Sequence, residues 1–144
     1  MTTTKRDNRA AGETSGMTDL AKLDVSAAAE EGAELELLHP VTGKGLGGRI
    51  RVVGADSDRY RSAVRSVSSK RVHKRRRAPL TPEEVEEEGL DILVKATLEW
   101  RDIVVDGETL VFTKDNVRNL YRRFPWIREQ VDGFISDRGN FLQD

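Results

Sequence analysis

The chain has 144 residues and no cysteine, with 34% charged and only 6% aromatic residues. At this length one domain with tails is expected, and the lack of cysteine excludes disulfides, thiolate catalysis and cysteine-ligated metal sites. Lys and Arg (24) nearly balance Asp and Glu (25), for a net charge of −1, so no global field attracts DNA or anionic lipid. No apolar run reaches the roughly 18 residues of a transmembrane helix, and residues 1–16 lack an apolar stretch of signal-peptide type.

Residues 1–33 are rich in Thr, Ala, Gly and charge and carry few large apolar groups. Such a segment buries too little apolar surface to offset its ordering entropy, which predicts a mobile N-terminal tail. Leu20, Leu23 and Ala27 stand at helical spacing, so a short partner-binding helix is the alternative. A single globular domain is expected over 34–144.

A β-hairpin is predicted over 34–54. In ELELLHP, Leu35 and Leu37 alternate with glutamates, as in a half-buried strand that ends before the proline. RIRVVG repeats this alternation at Ile50 and Val52, which predicts the second strand. The glycine-rich stretch between the strands is interpreted as a flexible hairpin tip. The hairpin must pack on helices because an isolated hairpin is marginal in water.

Helices are predicted after the hairpin, over about 56–77, 82–100, 114–123 and 125–138. A capping box, TPEE at 81–84, opens the second of them. Asp106-Gly107 is a type I′ turn dipeptide between two apolar runs, which predicts a small hairpin or a tight loop. Thr113 caps the third helix, and Pro125 fits the first turn of the fourth. The fold class is therefore α+β, mainly α: an N-terminal β-hairpin packed on about four helices.

Gly43, Gly45 and Gly48 fit G-x-G-x-x-G, a pattern of phosphate-binding loops. A dinucleotide site needs a helix after this loop, whereas a strand is predicted here. The kinase motifs H-R-D and D-F-G are absent, and Lys44 is followed by glycine rather than by the Ser or Thr of a Walker A motif. No cofactor and no cofactor-binding residue are therefore assigned.

No catalytic or metal-ligating set is predicted. His39 and His73 lie on different predicted elements without ligand spacing, and no serine lies in a G-x-S-x-G elbow. The acidic run EEVEEE at 83–88 is interpreted as a solvated helix face near the positive end of the helix dipole. The chain is therefore expected not to be an enzyme.

The densest positive charge lies at the end of the first predicted helix. This basic run comprises Lys70, Arg71, Lys74, Arg75, Arg76 and Arg77. Clustered Lys and Arg can bind phosphate, but no aromatic residue interleaves the run for base stacking. The pattern favours screening by the acidic run that follows, or an acidic protein partner, over nucleic acid.

Two stretches of the chain resemble one protein family. HPVTGKGLGGRIRVVGADSDRYR (39–61) is similar to the opening of tailed-bacteriophage and prophage tail assembly chaperones, in which an H-P-x-T-G hairpin leads through G-x-D-S-D-x-Y-R into a helix. LEWRDIVVDGETLVFTKDNVRNLYRRFPWIREQVDGFISDRGNFL resembles the second half of the family, with its D-G, [ST]-x-x-N, L-Y and P-x-I-x-x-Q motifs. The likeness covers about residues 35–142.

The resemblance implies a non-enzymatic protein of the host bacterial cytoplasm. Such chaperones bind the long tape-measure protein, keep its apolar helices soluble and help to recruit tail-tube subunits. A structural virion component, such as a head–tail connector or tail-completion protein, is the alternative. A nucleic-acid-binding accessory protein that uses the basic run is a weaker one. Self-association is left open, and no membrane partner is expected.

A protein that holds an amphipathic partner needs an exposed apolar surface with a polar rim. Trp126 adjoins Ile127, so the two side chains point about 100° apart on a helix. If Ile127 faces the core, Trp126 is partly exposed. The candidate partner-binding residues are Phe124, Trp126, Phe141 and Leu142. The alternative places all of them in the core, which a chain with few aromatic residues needs.

Overall fold

The structure is a computed structural model that describes residues 16–74 and 79–142, without the side chains of His73 and Lys74. In these ranges the helices are α1 (Ser26–Glu31), α2 (Asp58–Lys74), α3 (Pro82–Ala96), α4 (Lys114–Arg123) and α5 (Pro125–Ser136). The strands are β1 (Ala33–Leu38), β2 (Gly45–Val52), β3 (Thr97–Arg101), β4 (Val104–Val105) and β5 (Glu108–Thr109). The predicted α+β class, with a hairpin packed on helices, is confirmed. Among the described helices, none is both long and apolar enough to cross a bilayer.

The ordered part of the chain begins before residue 34. A 3-10 turn spans Leu20–Leu23 and α1 follows it, with Val25 and Ala29 only 7% and 1% exposed. The prediction of a mobile tail is therefore wrong for this part. Small side chains let α1 pack closely on the rest of the fold, although large apolar groups are few here. The carbonyl of Ala29 accepts a hydrogen bond from the N–H of Gly54 at 2.9 Å. Residues 1–15 lie outside the described residues.

The second predicted helix is too long, because its last turn is a strand. α3 ends at Ala96, and β3 pairs antiparallel with β2, with Trp100 opposite Ile50. The order of the main sheet is β1-β2-β3. An apolar spacing of four residues from Ala96 to Trp100 fits a helix. The same spacing also fits a helix that ends at Ala96 and is followed by a strand that packs on the same core.

The glycine-rich stretch is only partly a hairpin tip. β2 begins at Gly45, so most of this stretch is strand. Gly47 has φ +91° within a register shift between β1 and β2, which is the position of a β-bulge. A Cβ atom on Gly48 would lie 2.8 Å from the Cδ1 atom of Ile103. Glycine therefore permits a bulge and a close contact here, as well as the turn.

The core lies between the inner face of the sheet and helices α3, α4 and α5. The predicted capping box at 81–84, the N-cap at Thr113 and the proline at the start of α5 are confirmed. A close contact at Gly89 in α3 would explain a glycine inside a helix. Apart from the adjacent backbone of α3 and its chain neighbours, however, no described atom lies within 4 Å of the position that a Cβ atom would take. The buried residues of the three helices are Leu90, Leu93, Ala96, Val117, Leu120, Tyr121, Ile127, Val131 and Ile135.

A buried hydrogen bond joins the end of α3 to α4. The hydroxyl of Thr97 donates to the carbonyl of Leu93 at 2.7 Å, and it lies 2.7 Å from the hydroxyl of Tyr121. Because the threonine proton is used, the phenol is the donor in the second bond. Burial raises the pKa of Tyr121, so the phenol keeps its proton.

The direction of this bond can be tested with two substitutions. Tyr121→Phe removes the donor while Thr97 keeps its bond to Leu93, so we expect a loss of about 1 kcal/mol in the free energy of unfolding. Thr97→Val leaves a buried phenol without an acceptor and should cost about 1–3 kcal/mol. Urea denaturation measures both losses, and a larger loss for Tyr121→Phe would contradict the assigned direction.

Candidate protein-interaction site

Two predicted partner-binding residues near the end of the chain lie against the core. Phe141 is only 5% exposed, its ring meets Phe134 edge to face at 5.7 Å, and Leu142 is half-buried. A Cβ atom on Gly54 would lie 3.1 Å from the Phe141 ring, so this glycine makes room for it. Phe141 is therefore a core residue, as the alternative interpretation has it, and not an exposed partner-binding residue. Its apolar side chain closes the core between the α1–α2 region and α5.

Phe124 and Trp126 form an aromatic corner where α4 meets α5. Pro125 disfavours helical geometry in the residue before it, and Phe124 accordingly has φ −120° and ψ 84°. α4 therefore ends just before Phe124, and α5 begins just after it. The two rings are half-buried and meet edge to face at 6.2 Å. We call Phe124 and Trp126 the aromatic corner.

An ion pair anchors the small hairpin beside this corner. The guanidinium of Arg123 donates to both carboxylate oxygens of Asp106, at 2.8 and 3.0 Å, and lies 5.1 Å from the centre of the Phe124 ring. This pairing lowers the pKa of Asp106. Asp106 and Gly107 have φ of 53° and 84°, so the predicted type I′ turn is confirmed. The turn and the ion pair together fix the hairpin against α4.

A groove of about 330 Å³ runs between this hairpin and α4. Its apolar part is formed by Val105, Leu110, Leu120 and Phe124. Its rim is polar and consists of Asp106, Glu108, Thr109, Asn116, Asn119 and Arg123. We call it the hairpin groove. The groove can accept apolar side chains of a bound segment, and the amides and charges of its rim can contact polar groups of that segment.

The acidic run of α3 is largely exposed, as predicted, and it also pairs with neighbouring helices. Glu88 pairs with Arg71 of α2, and this contact lowers the pKa of Glu88. Glu87 lies 2.7 Å from Arg122 of α4. Successive positions on a helix point in different directions, so neighbouring glutamates reach different helices. The predicted solvated face therefore also carries ion pairs, whose partners on other helices the sequence of α3 alone does not reveal.

The basic run is only partly described. Lys70 is exposed and Arg71 is bound to Glu88, which confirms screening between the two runs at this one pair. Only the backbone of Lys74 is described, and Arg75, Arg76 and Arg77 lie outside the described residues. In the described part of the run, both side chains are therefore exposed, and Arg71 is the one bound to Glu88.

His39 caps a turn, a role that the sequence interpretation missed. Its Nδ1 atom accepts hydrogen bonds from the N–H groups of Val41 and Thr42, at 3.1 and 3.2 Å. The hydroxyl of Thr42 accepts from the N–H of Lys44 at 3.3 Å, and Gly43 has φ +76°. The H-P-x-T-G motif thus forms a self-contained turn. Within the described residues, no three acidic or histidine side chains are placed to hold a metal ion.

The G-x-D-S-D motif lies where α1, α2 and the C-terminal segment meet. Ser57 is fully buried, and its hydroxyl donates to the carbonyl of Gly54 at 2.7 Å and accepts from the N–H of Tyr60 at 3.0 Å. Asp56 accepts two hydrogen bonds from Arg138, at 2.6 and 3.0 Å, which lower its pKa. These motif residues therefore connect parts of the fold that are distant in sequence.

Comparison with known proteins does not assign the chain to a family. No protein-family model, curated protein or solved structure gives a significant match. A functional hypothesis therefore depends on the geometry of the surface and on the motifs that resemble tail assembly chaperones.

The ion pairs predict loss of stability in acid. Neighbouring arginines lower the pKa values of the carboxyl groups of Glu34, Asp56, Glu88 and Asp106. Such a group stabilises the fold above its unfolded pKa of about 4, and this contribution is lost as the pH falls through the lower folded pKa. Urea denaturation should show constant stability from about pH 7 to 5 and a decline below about pH 4. The Asp56→Asn variant should be less stable than the wild type at neutral pH, and its stability should fall less between about pH 5 and pH 3. An equal fall in stability for both proteins would contradict the role given to Asp56.

Proposed function

We propose that this protein is a tail assembly chaperone of a tailed phage. It binds the tape-measure protein in the host bacterial cytoplasm, keeps it soluble and helps to recruit tail-tube subunits. The observation that carries the proposal is the aromatic corner beside the hairpin groove. Half-buried aromatic rings next to an apolar groove with a polar rim are suited to one face of an amphipathic helix.

The positions of the family-like motifs support this proposal. The D-G turn at Asp106 holds the hairpin that forms one wall of the groove, and Thr113 caps the helix that forms the other wall. Leu120 of the L-Y motif lines the groove, and its neighbour Tyr121 anchors α4 to Thr97. Residues of the second family-like stretch therefore build the surface that the proposed function requires.

The energetics favour a partner with regularly spaced apolar side chains. Full burial of one Leu, Ile or Phe side chain contributes about 1.5–3 kcal/mol. Half-buried Phe124 and Trp126 still expose apolar area that a partner can cover, and Arg123 is held beside them by Asp106. A helix with anchors at three- and four-residue spacing places one apolar row on this surface and its polar rows at the rim.

Co-expression with the tape-measure protein of the same phage tests the proposal. The wild-type protein should keep the tape-measure protein in the soluble fraction. The double substitution Phe124→Ser, Trp126→Ser should lower the soluble amount at least about tenfold, the effect of roughly 1.4 kcal/mol in binding. Phe112→Ser is the matched control, because Phe112 is a partly exposed aromatic residue that packs on Trp100 and does not line the groove.

Four results would argue against the proposal. An insoluble tape-measure protein in the presence of the folded wild type would remove its basis. Full activity of the folded double variant, checked by circular dichroism, would remove the aromatic corner from the site. Replacement of Lys74, Arg75, Arg76 and Arg77 by Ser should leave activity intact, and loss would move the site to the basic run. Stable presence of the protein in purified virions would favour a structural component instead.

A further inference from the structure

β1 presents one free edge to solvent. It is an outer strand of the main sheet, paired with β2 on one side only. The N–H of His39 points toward β2 and donates to the carbonyl of Lys44 at 2.7 Å. Backbone groups alternate sides along a strand, so those of Glu34, Glu36 and Leu38 point away from β2. The register shift lies in β2, where extra residues are inserted, and β1 keeps this alternation.

A glutamine side chain occupies part of this edge. The N–H of Leu38 donates to Oε1 of Gln130 at 2.9 Å, and Nε2 of Gln130 donates to the carbonyl of Leu38 at 2.8 Å. The side-chain amide thus makes the two hydrogen bonds that a residue of a neighbouring strand would make. No described group outside the sheet makes the equivalent bonds to the backbone of Glu34 or Glu36.

A groove of about 460 Å³ lies along this edge, between β1 and α5. We call it the β1–α5 groove. The strand wall is formed by Glu34, Leu35, Glu36 and Leu38, and the other wall by Gln130, Gly133, Phe134, Asp137 and Asn140. The lining residues of α5 follow a three- and four-residue spacing, so they form one helix face that runs beside the strand.

Gly133 leaves space in this groove. Glycine inside a helix is less favourable than alanine. Apart from the adjacent backbone of α5 and its chain neighbours, no described atom lies within 4 Å of the position that a Cβ atom on Gly133 would take. No contact within the described chain therefore requires a glycine here. A side chain of a bound segment can occupy the space between Gly133, Leu35 and Phe134.

The charges on the outer face of the sheet indicate which segment fits. One row across the strands reads Glu34, Arg51, Glu99, and the next reads Glu36, Arg49, Arg101. Within the sheet, Glu34 pairs with Arg101 and Glu36 with Arg49. A strand added outside β1 meets a glutamate in both rows. Of the described residues that line the groove, three are acidic and none is basic. Lys or Arg on the outer face of the added strand therefore meets an opposite charge on β1 in both rows.

The same charges disfavour a second copy of this chain. If two β1 edges paired antiparallel, Glu34 and Glu36 of one copy would face the same glutamates of the other. Like charges directly opposite each other destabilise strand pairs, and charged residues protect edge strands from self-pairing.

We propose that the β1–α5 groove binds an extended protein segment of alternating apolar and basic residues. The segment adds to β1 as a fourth strand and hydrogen-bonds to the backbone of Glu34 and Glu36. Its apolar side chains face Gly133 and Phe134, and its basic side chains lie beside the two glutamates. Strand addition to an exposed sheet edge is an established mode of peptide recognition. The proposal concerns a surface other than the aromatic corner and holds whether or not the tape-measure protein is the partner.

Fluorescence anisotropy with labelled peptides and the full chain tests this binding. The probe is KVKVKVK, and the controls are EVEVEVE and a KVKVKVK peptide with N-methylated amides along one edge. The basic probe should bind at least about tenfold more tightly than either control, because one control reverses the charge and the other removes the strand hydrogen bonds. Bound probe should also protect the amides of Glu34 and Glu36 from hydrogen exchange.

Two leucine substitutions separate the groove from general effects. Gly133→Leu fills the groove and should weaken probe binding at least about tenfold, while Gly89→Leu, on α3, should leave it unchanged. Both glycines lie inside helices with open space around them. Leucine is the better helix former, so neither variant should have a lower melting temperature.

Several outcomes would overturn the proposal. Equal binding of the acidic or N-methylated peptide would show that charge pairing or strand addition is not the mode. Unchanged binding by a folded Gly133→Leu variant would place the probe elsewhere. Self-association that competes with the probe and is lost in Gly133→Leu would assign the groove to a second copy of the chain.

Discussion

The buried hydrogen bond between Thr97 and Tyr121 is the interaction on which much of the structure depends. Thr97 ends α3 with a bond back to Leu93 and starts β3 in the same step. β3 completes the three-stranded sheet, and Tyr121 holds α4 against its inner face. The bond itself contributes about 1 kcal/mol, and it acts together with the pairing of β3 with β2 and the buried side chains of α4. It thus helps to fix the wall of the hairpin groove that α4 forms.

Around this junction, ion pairs connect α3 to α2, α4 and α5. Its glutamates reach Arg71 of α2, Arg122 of α4 and Arg128 of α5. Exposed ion pairs of this kind each contribute little to stability. Together they favour one orientation of each helix, since a rotation of α3 would separate several pairs at once. The charge-rich composition thus supports a domain whose apolar core is modest.

The two proposed surfaces differ in the partner conformation that they suit. The aromatic corner presents rings and a short groove, which fit a row of side chains on a helix. The β1–α5 groove presents backbone groups and carboxylates, which fit an extended basic segment. A long partner that contains both kinds of segment could engage both surfaces, and linkage would raise the effective concentration of the second contact. Such a division suits a protein that holds a chain before its final assembly.

Elements that depend on short-range chemistry could be predicted from the sequence. They include the alternation in β1, the capping box before α3, the Asp106-Gly107 turn and the proline at the start of α5, each of which acts within a few residues. Four features depend on the packing of the fold and could not be predicted from local sequence. They are the secondary structure before residue 34, the strand after Ala96, the burial of Phe141 and the pairing of the acidic run. These features depend on which distant surface covers a residue: Phe141 is buried because Gly54 leaves room for its ring. Local periodicity records that a face is apolar or charged, but it carries no information about the neighbour that meets that face.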